Sequence, residues 1–281
     1  MFLQGFIFHL RARNLAPSTI AASAGYVGRF LDGHDPLTVT RSDIENYLAG
    51  MYQRCKPSSI WTVWRHLKSF FKWLEAEGDI SVNPMNGVAK PQVPPTEVTV
   101  LTPTEIRRLL NTCKQKTQED KRDLALISIM LDTGLRLSEV TGIKLDDIGE
   151  DNAIRVFGKG RKWRTVSLGD SSTIALSRWM RTRGSEPGAL WKGRKGALTR
   201  DGVRRIINRR GEQAGISLHP HMLRHTFVDN WLRNGGSEVD LARLAGWTST
   251  RMAERYARHR ADERAISAHK LIAPLDNLRS S

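Results

Sequence analysis

Cysteine is scarce in this chain of 281 residues, and its scarcity excludes several kinds of protein. The two cysteines, Cys55 and Cys113, lie far apart, and neither belongs to a C-x-x-C pair. This excludes a disulfide framework and a cysteine-based zinc site, and it predicts a reducing compartment. The apolar opening at residues 2–8 lacks a basic leader and a small-residue cleavage site, and it is too short to span a bilayer. We therefore expect a soluble, cytoplasmic protein.

Acidic side chains are outnumbered, since 29 Asp and Glu stand against 44 Lys and Arg. The resulting net charge of +15 and isoelectric point near 10.3 are unusual for an enzyme that acts on small molecules. Such a balance favours a polyanionic partner, with nucleic acid ahead of an anionic membrane. A soluble protein that is merely basic stays open as an alternative. The length favours two domains over one.

Proline divides the chain at residues 84–100, where three prolines stand within five residues. Proline stops helices and favours a stiff, extended connector, so this segment is predicted to be an interdomain linker. Every periodic segment in residues 1–83 has helical spacing, which predicts a small helical bundle. The clearest apolar stripe comprises Ile60, Val63, Trp64, Leu67, Phe70, Phe71 and Leu74.

The pattern of the second domain, residues 101–281, is more varied. Thr102-Pro103-Thr104-Glu105 opens a helix with a capping box. Apolar and polar residues then alternate on both sides of Gly158-Lys159-Gly160, which predicts a β-hairpin. From about residue 171 the pattern is helical again. The prediction is a mainly α fold with a small antiparallel β-sheet (α+β).

Two segments of this domain point to phosphate chemistry. Lys159 stands between two glycines at the hairpin tip, where an ammonium can deliver a proton to a leaving oxygen; such lysines also serve solubility. Pro220 starts a helix that places His221, Arg224 and His225 on one face, which suits a phosphate oxygen and a nearby proton transfer. No third ligand accompanies the two histidines, so we expect no metal. His225 is predicted to be a packed, hydrogen-bonded core histidine in a supporting position.

Taken in order, the motifs resemble those of the tyrosine recombinases, also called the phage integrase family. The sequence has T-G-x-R-x-S-E around Arg136, G-K-G around Lys159, H-x-x-R-H from His221, glycine before Trp247, and a tyrosine nine residues later at Tyr256. Taken alone, Trp247 and Tyr256 are typical core residues. The resemblance covers essentially the whole chain, because the amino-terminal module is similar to the family's helical, SAM-like core-binding domain. It implies a two-domain, C-shaped clamp around DNA.

The resemblance implies a role for each matched residue. Tyr256 attacks the scissile phosphate and leaves a 3′-phosphotyrosyl link and a free 5′-hydroxyl. Arg136 and Arg224 hold the non-bridging oxygens. Lys159 is the general acid for the departing 5′-oxygen, and His221 assists proton transfer around the tyrosine hydroxyl. No nucleotide cofactor or metal is implied, because the covalent link keeps the phosphoester bond energy.

Two further positions bear on this expected site. Trp247 departs from the commonest family pattern, which has histidine there; indole N–H donates to a phosphate oxygen but does not titrate. This tryptophan therefore leaves acid-base work to His221 and Lys159. Glu139 lies one turn beyond Arg136 and is predicted to orient it.

The resemblance also implies partners. It starts almost at Met1, which implies a compact, Xer- or Cre-like member without an arm-binding domain. Such members act as a homotetramer on two paired core-type DNA sites, with a directionality factor as a further partner. The tail after Tyr256, with Ile266, Leu271, Ile272 and Leu275, docks on a neighbouring protomer or packs on its own domain. Basic residues expected to contact DNA phosphates are Arg161, Lys162, Arg164, Arg200, Arg204, Arg205, Arg209 and Arg210.

These observations predict a site-specific DNA recombinase that integrates or excises a phage or other mobile element, acting on nucleoid DNA in a bacterial or phage-infected cell. A type IB-like topoisomerase, which shares the nucleophile and the 3′ linkage, is one alternative. A non-catalytic DNA-binding accessory protein is the other. The intact helical module and the full motif set favour recombination.

Overall fold

The computed structural model describes residues 1–94, 98–149, 153–158, 162–247 and 249–258, together with Ile266 and His269. The chain divides into two compact units, Met1–Thr96 and Glu97–Ser281. This division falls within the predicted linker at residues 84–100. The first part of that segment belongs to the first unit, however, because Met85 and Val88 are buried in its core.

The first unit is a bundle whose helix ends follow the local sequence. Proline begins two of its helices, a capping box between Thr40 and Asp43 begins a third, and Gly78 ends the last in the left-handed conformation. The predicted apolar stripe is confirmed as core, with Phe70 and Phe71 fully buried. The helices are α1 (Phe2–Ala12), α2 (Pro17–Leu31), α3 (Arg41–Met51) and α4 (Pro57–Glu77).

The second unit is mainly helical with two small antiparallel sheets, as the predicted fold class requires. Its elements are α5 (Pro103–Asn111), α6 (Gln118–Thr133), α7 (Leu137–Thr141), a 3₁₀ turn (Leu145–Asp147), β1 (Ala153–Phe157), β2 (Trp163–Ser167), α8 (Asp170–Arg183), β3 (Lys192–Gly193), β4 (Gly196–Ala197), α9 (Arg200–Gln213), α10 (Pro220–Arg233), α11 (Glu238–Ala245) and α12 (Arg251–Arg258).

The second hairpin, β3–β4, interrupts the helical pattern expected after residue 171. Strands of two residues leave no alternation for a sequence pattern to show. The capping box of Thr102 and Glu105 and the helix start at Pro220 are both confirmed. Among the described residues, no helix has the length and apolar character needed to cross a membrane.

The predicted first hairpin is confirmed, and its register decides which side chains reach the interior. β1 and β2 pair antiparallel, with Val156 opposite Arg164. Val156 and Val166 are buried, so their side chains form the inner face of the hairpin. Side chains alternate along a strand with a period of two. Arg164 therefore shares the inner face with Val166.

Candidate active site

A tight turn delivers Arg136 to the site. Gly134 ends α6 with φ 61°, a left-handed conformation, and a Cβ at this position would overlap the ring of Phe227. Two residues later, the backbone N–H of Arg136 donates to Oε2 of Glu139 at 2.8 Å, and its Nη1 donates to Oε1 at 2.9 Å. The predicted contact by which Glu139 orients Arg136 is present.

Glu139 is a buried carboxylate that receives a second arginine. Nη1 and Nη2 of Arg164 each donate at 2.9 Å, one to each carboxylate oxygen. Burial by itself would raise the pKa of Glu139, but the bonds from Arg164 and from the Arg136 N–H outweigh it and lower that pKa below its ordinary value. Glu139 is therefore ionised at neutral pH and stabilises the fold above the pKa of the unfolded chain. This contribution is lost as the pH falls through the lowered, folded-state pKa.

The structure corrects the expectation that Arg164 contacts DNA. Its side chain is only 15% exposed and is held on Glu139, while its Nε donates to the carbonyl of Leu244 at 2.9 Å. Gly246 packs closely on it, since a Cβ there would lie 3.0 Å from Nη1. Arg164 thus ties the hairpin to Glu139 and to the end of α11, which makes it a positioning residue. Its alternation with Val166 is the sequence signal that places it inside.

We expect Arg164→Met to destabilise the protein by about 1–3 kcal/mol, because Glu139 keeps its burial but loses two charge-assisted hydrogen bonds. Chemical denaturation measures this loss. The matched control is Lys162→Met, since Lys162 is exposed on the same hairpin. That variant keeps its stability but lowers the slope of log binding constant against log salt by about 0.9 on duplex DNA. The reverse pattern, a lower slope for Arg164→Met at unchanged stability, would show that Arg164 contacts a DNA phosphate.

Arg224 supplies a second guanidinium from α10. It is buried, its Nη1 donates to the carbonyl of Gly134 at 2.6 Å, and its Nη2 donates to the carbonyl of Ala245 at 2.8 Å. Burial lowers the pKa of Arg224 to about 10, and the neighbouring Arg136 adds to this shift. The group is still protonated at neutral pH. Backbone carbonyls on both sides therefore fix its fork beside Arg136.

The charges of this cluster do not cancel. Among the described residues, Arg136 and Arg164 both pair with Glu139, and Arg224 lies within electrostatic range of that carboxylate and of Arg136. A second anion between Arg136 and Arg224 would relieve their mutual repulsion, and guanidinium groups suit a phosphodiester, whose two non-bridging oxygens accept paired N–H bonds. The geometry at this position is that of an anion site.

Tyr256 lies beside this anion site. It is 9% exposed, and its ring stacks on Trp247 with centroids 6.0 Å apart and planes 17° apart. Arg224 in turn lies over the Trp247 ring, at 5.3 Å. Trp247 thus joins the phenol to the guanidinium by packing.

The imidazole that lies against the Tyr256 hydroxyl comes from His225. Its Nδ1 and the Tyr256 hydroxyl form a hydrogen bond. His221 was expected at this position; instead it lies one turn away on α10, with a ring centroid 5.1 Å from that of His225. His221 is exposed, but burial of part of its ring and the nearby Arg224 lower its pKa, so it is neutral at pH 7. His225 is half-buried and hydrogen-bonded.

The hairpin tip is only partly described. Lys159 and Arg161 lie outside the described residues. Gly158 directly precedes Lys159 and lies against Glu139, since a Cβ at Gly158 would be 3.1 Å from Oε1. The strand that leads to Lys159 therefore reaches the cluster of Glu139 and its arginines.

The arginines of the basic helix α9 differ in exposure. Arg200, Arg204 and Arg205 are exposed, as phosphate contacts require. Arg209 is half-exposed and pairs with Asp123 at 2.7 Å. Arg210 is buried.

The inward position of Arg210 corrects its expected DNA contact. Its guanidinium donates to the carboxylates of Asp120 and Asp123 and to the carbonyl of Thr112. Arg210 falls at helical spacing from the buried Val203, which is the signal that places it on the inner face.

Among the described residues, no group of three or more His, Cys, Asp or Glu side chains is placed to hold a metal ion. The tail positions Leu271, Ile272 and Leu275 lie outside the described residues, and Ile266 is exposed.

Comparisons with known proteins agree with this geometry. The phage integrase family matches residues 99–263, and the phage integrase N-terminal SAM-like domain matches residues 2–78. The tyrosine recombinase XerD of Bifidobacterium longum is 31% identical over 297 aligned positions, which cover 96% of each chain. The fold is similar to that of the Tn1549 transposon integrase in complex with circular intermediate DNA, with a TM-score of 0.72, 20% identity, and coverage of 91% of this chain and 94% of that one. It is also similar to a lambda integrase tetramer bound to a Holliday junction, with a TM-score of 0.75, 18% identity, and coverage of 89% and 77%. The chain therefore belongs to the phage integrase family of tyrosine recombinases, enzymes that cleave and rejoin DNA at specific sites.

Proposed function

We propose that this recombinase integrates or excises a phage or another mobile element at core-type DNA sites. The observation that carries the chemistry is the position of Tyr256, which lies within electrostatic range of Arg224, and Arg224 and Arg136 together suit the non-bridging oxygens of one phosphodiester. The similarity of the fold to a transposon integrase and to lambda integrase supports a role in the movement of such an element. The reaction would take place on DNA in the bacterial cytoplasm.

In the proposed cleavage, the Tyr256 oxygen attacks the scissile phosphorus. Arg136 and Arg224 stabilise the charge on the non-bridging oxygens in the pentacoordinate transition state. The bond from phosphorus to the 5′-oxygen breaks, and Lys159 donates the proton that this oxygen takes. The indole N–H of Trp247 donates to a phosphate oxygen. A 5′-hydroxyl from a second duplex then reverses these steps and rejoins the strand.

A tetramer is the assembly that this exchange requires, because four strands are cut and joined on two duplexes. The lambda integrase tetramer on a Holliday junction supports the same arrangement for this chain. A directionality factor is the proposed further partner, since cleavage and joining use the same residues in both directions.

A second candidate is action on one fixed chromosomal site, which the likeness to XerD favours. The two candidates make different predictions about the DNA. A mobile-element integrase has matching core sites at both ends of an inserted element, whereas a chromosomal recombinase has one site that occurs once.

The proposed chemistry is tested with a pool of nicked duplexes that carry a randomised central segment. Duplexes whose nick lies beside the cleaved phosphate release the 5′-hydroxyl strand, so they trap the enzyme as an adduct that survives SDS. Sequencing of the trapped strands gives the recognised site, and its positions in the source genome separate the two candidates. If no pool member forms an adduct, the proposed chemistry fails.

A strand-transfer assay with two copies of the recovered site then separates recombination from topoisomerase action. Products that join the two sites support a recombinase. Relaxation of a supercoiled plasmid without joined products would favour a type IB-like topoisomerase.

A further inference from the structure

The imidazole that touches the nucleophile is not the one that the motif order had suggested. His225 stands 31 positions before Tyr256 in the chain, and its Nδ1 shares a hydrogen bond with the phenol oxygen. The two ring centroids lie 5.4 Å apart with planes at 42°. In this tilted arrangement the two faces do not stack, and a ring nitrogen meets the hydroxyl.

We infer that His225 is the general base that takes the Tyr256 proton during DNA cleavage and returns it during joining. The inference rests on the proposed chemistry at Tyr256 and adds the group that activates the phenol. His221 then assists indirectly, because its ring lies next to that of His225 and not against the Tyr256 hydroxyl in this arrangement.

The proton and electron balance of this step is complete. The O–H bond of Tyr256 breaks, its proton passes to Nδ1 of His225, and the phenolate oxygen forms a bond to phosphorus. The bond from phosphorus to the 5′-oxygen breaks at the same time, and that oxygen takes a proton from Lys159. During joining, the incoming 5′-hydroxyl gives its proton to the Lys159 amine and attacks phosphorus. The bond from phosphorus to the Tyr256 oxygen breaks, and protonated His225 gives its proton back to the departing phenolate.

Position alone does not distinguish a base from a side chain that only holds the tyrosine in place. His225→Asn separates the two roles, because an asparagine amide reaches the position of Nδ1 and holds the hydroxyl by a hydrogen bond but does not take its proton. His221→Asn is the matched control on the same face of α10. Both variants are assayed for cleavage of the nicked duplex pool and for duplex binding.

The decisive readout is the response to a more acidic phenol. Fluorinated tyrosine is placed at position 256 by codon suppression, and its electron-withdrawing fluorines lower the phenol pKa, so it needs a base less. We expect His225→Asn to slow cleavage by about 10²-fold or more, in the range of general base catalysis. We expect the fluorinated residue to raise the cleavage rate of His225→Asn at least about tenfold, while it changes the wild-type rate by less than about threefold.

Other outcomes count against the inference. A His225→Asn rate close to wild type would overturn it, and so would a loss that fluorination leaves unchanged, which marks a positioning role. Rescue by fluorination in His221→Asn and not in His225→Asn would assign the base to His221. Should His225→Asn not fold, His225→Ala with added imidazole replaces it: acceleration by imidazole supports the inference, and no response contradicts it. If the wild-type enzyme forms no adduct with any duplex, the proposed function itself is wrong.

Discussion

Tyr256→Phe is expected to form no covalent adduct with DNA and still to bind it with near wild-type affinity. The ring of Tyr256 keeps its packing on Trp247 in this variant, since only the hydroxyl is removed. Loss of the hydrogen bond to His225 costs about 1 kcal/mol of stability. The nucleophile is gone, so the cleavage rate falls below detection. SDS gel electrophoresis with labelled nicked duplexes measures the adduct, and a mobility-shift assay measures binding.

The matched control for this variant is Tyr52→Phe, because Tyr52 is 51% exposed in the first unit. It should form the adduct at the wild-type rate. An adduct that persists in Tyr256→Phe would show that another side chain attacks the phosphate, and the assignment of the nucleophile would be wrong.

Arg224→Lys should lower the cleavage rate by about 10²–10³-fold, the range seen when one preorganised donor to a developing charge is removed. The substitution keeps a positive charge but removes the planar fork that the carbonyls of Gly134 and Ala245 hold in place. An ammonium cannot bond to both carbonyls and also present paired donors to one phosphate. Single-turnover cleavage at saturating protein measures the loss separately from binding.

Arg233→Lys is the control on the same helix. Arg233 is 52% exposed and pairs with Asp229 at the surface, so this exchange should change cleavage by less than about twofold. If saturating protein restores the rate of Arg224→Lys, then Arg224 serves DNA affinity and not the transition state.

Much of the fold could be predicted from local sequence, because the signals were local. The capping box at Thr102 fixes a helix start through contacts three residues apart, and the alternation around Gly158 fixes a hairpin through the period of a strand. The stripe on α4 predicted the core of the first unit in the same way. Met85 and Val88 carried no periodic signal, and only packing showed that they complete that core.

Arg164 and Arg210 show where a count of charges misleads. Both belong to basic runs, which favour contact with DNA, yet both have buried carboxylate partners. Their spacing from Val166 and Val203 indicated an inner face, but the partners Glu139 and Asp123 lie 25 and 87 positions away in the chain. Spacing thus gave the direction of each side chain, and only the tertiary structure gave its partner.

The sequence by itself determined the chemistry of this protein: a phenol, two arginines, a lysine and histidines in an order that identifies the family. Helical spacing also put His221, Arg224 and His225 on one face of α10. It did not decide which histidine meets Tyr256, because both are on that face and the phenol comes from another helix. In the tertiary structure, α12 packs so that the Tyr256 hydroxyl reaches His225. The physical reason is that periodicity fixes directions within one helix, whereas contacts between helices depend on how their buried faces pack together.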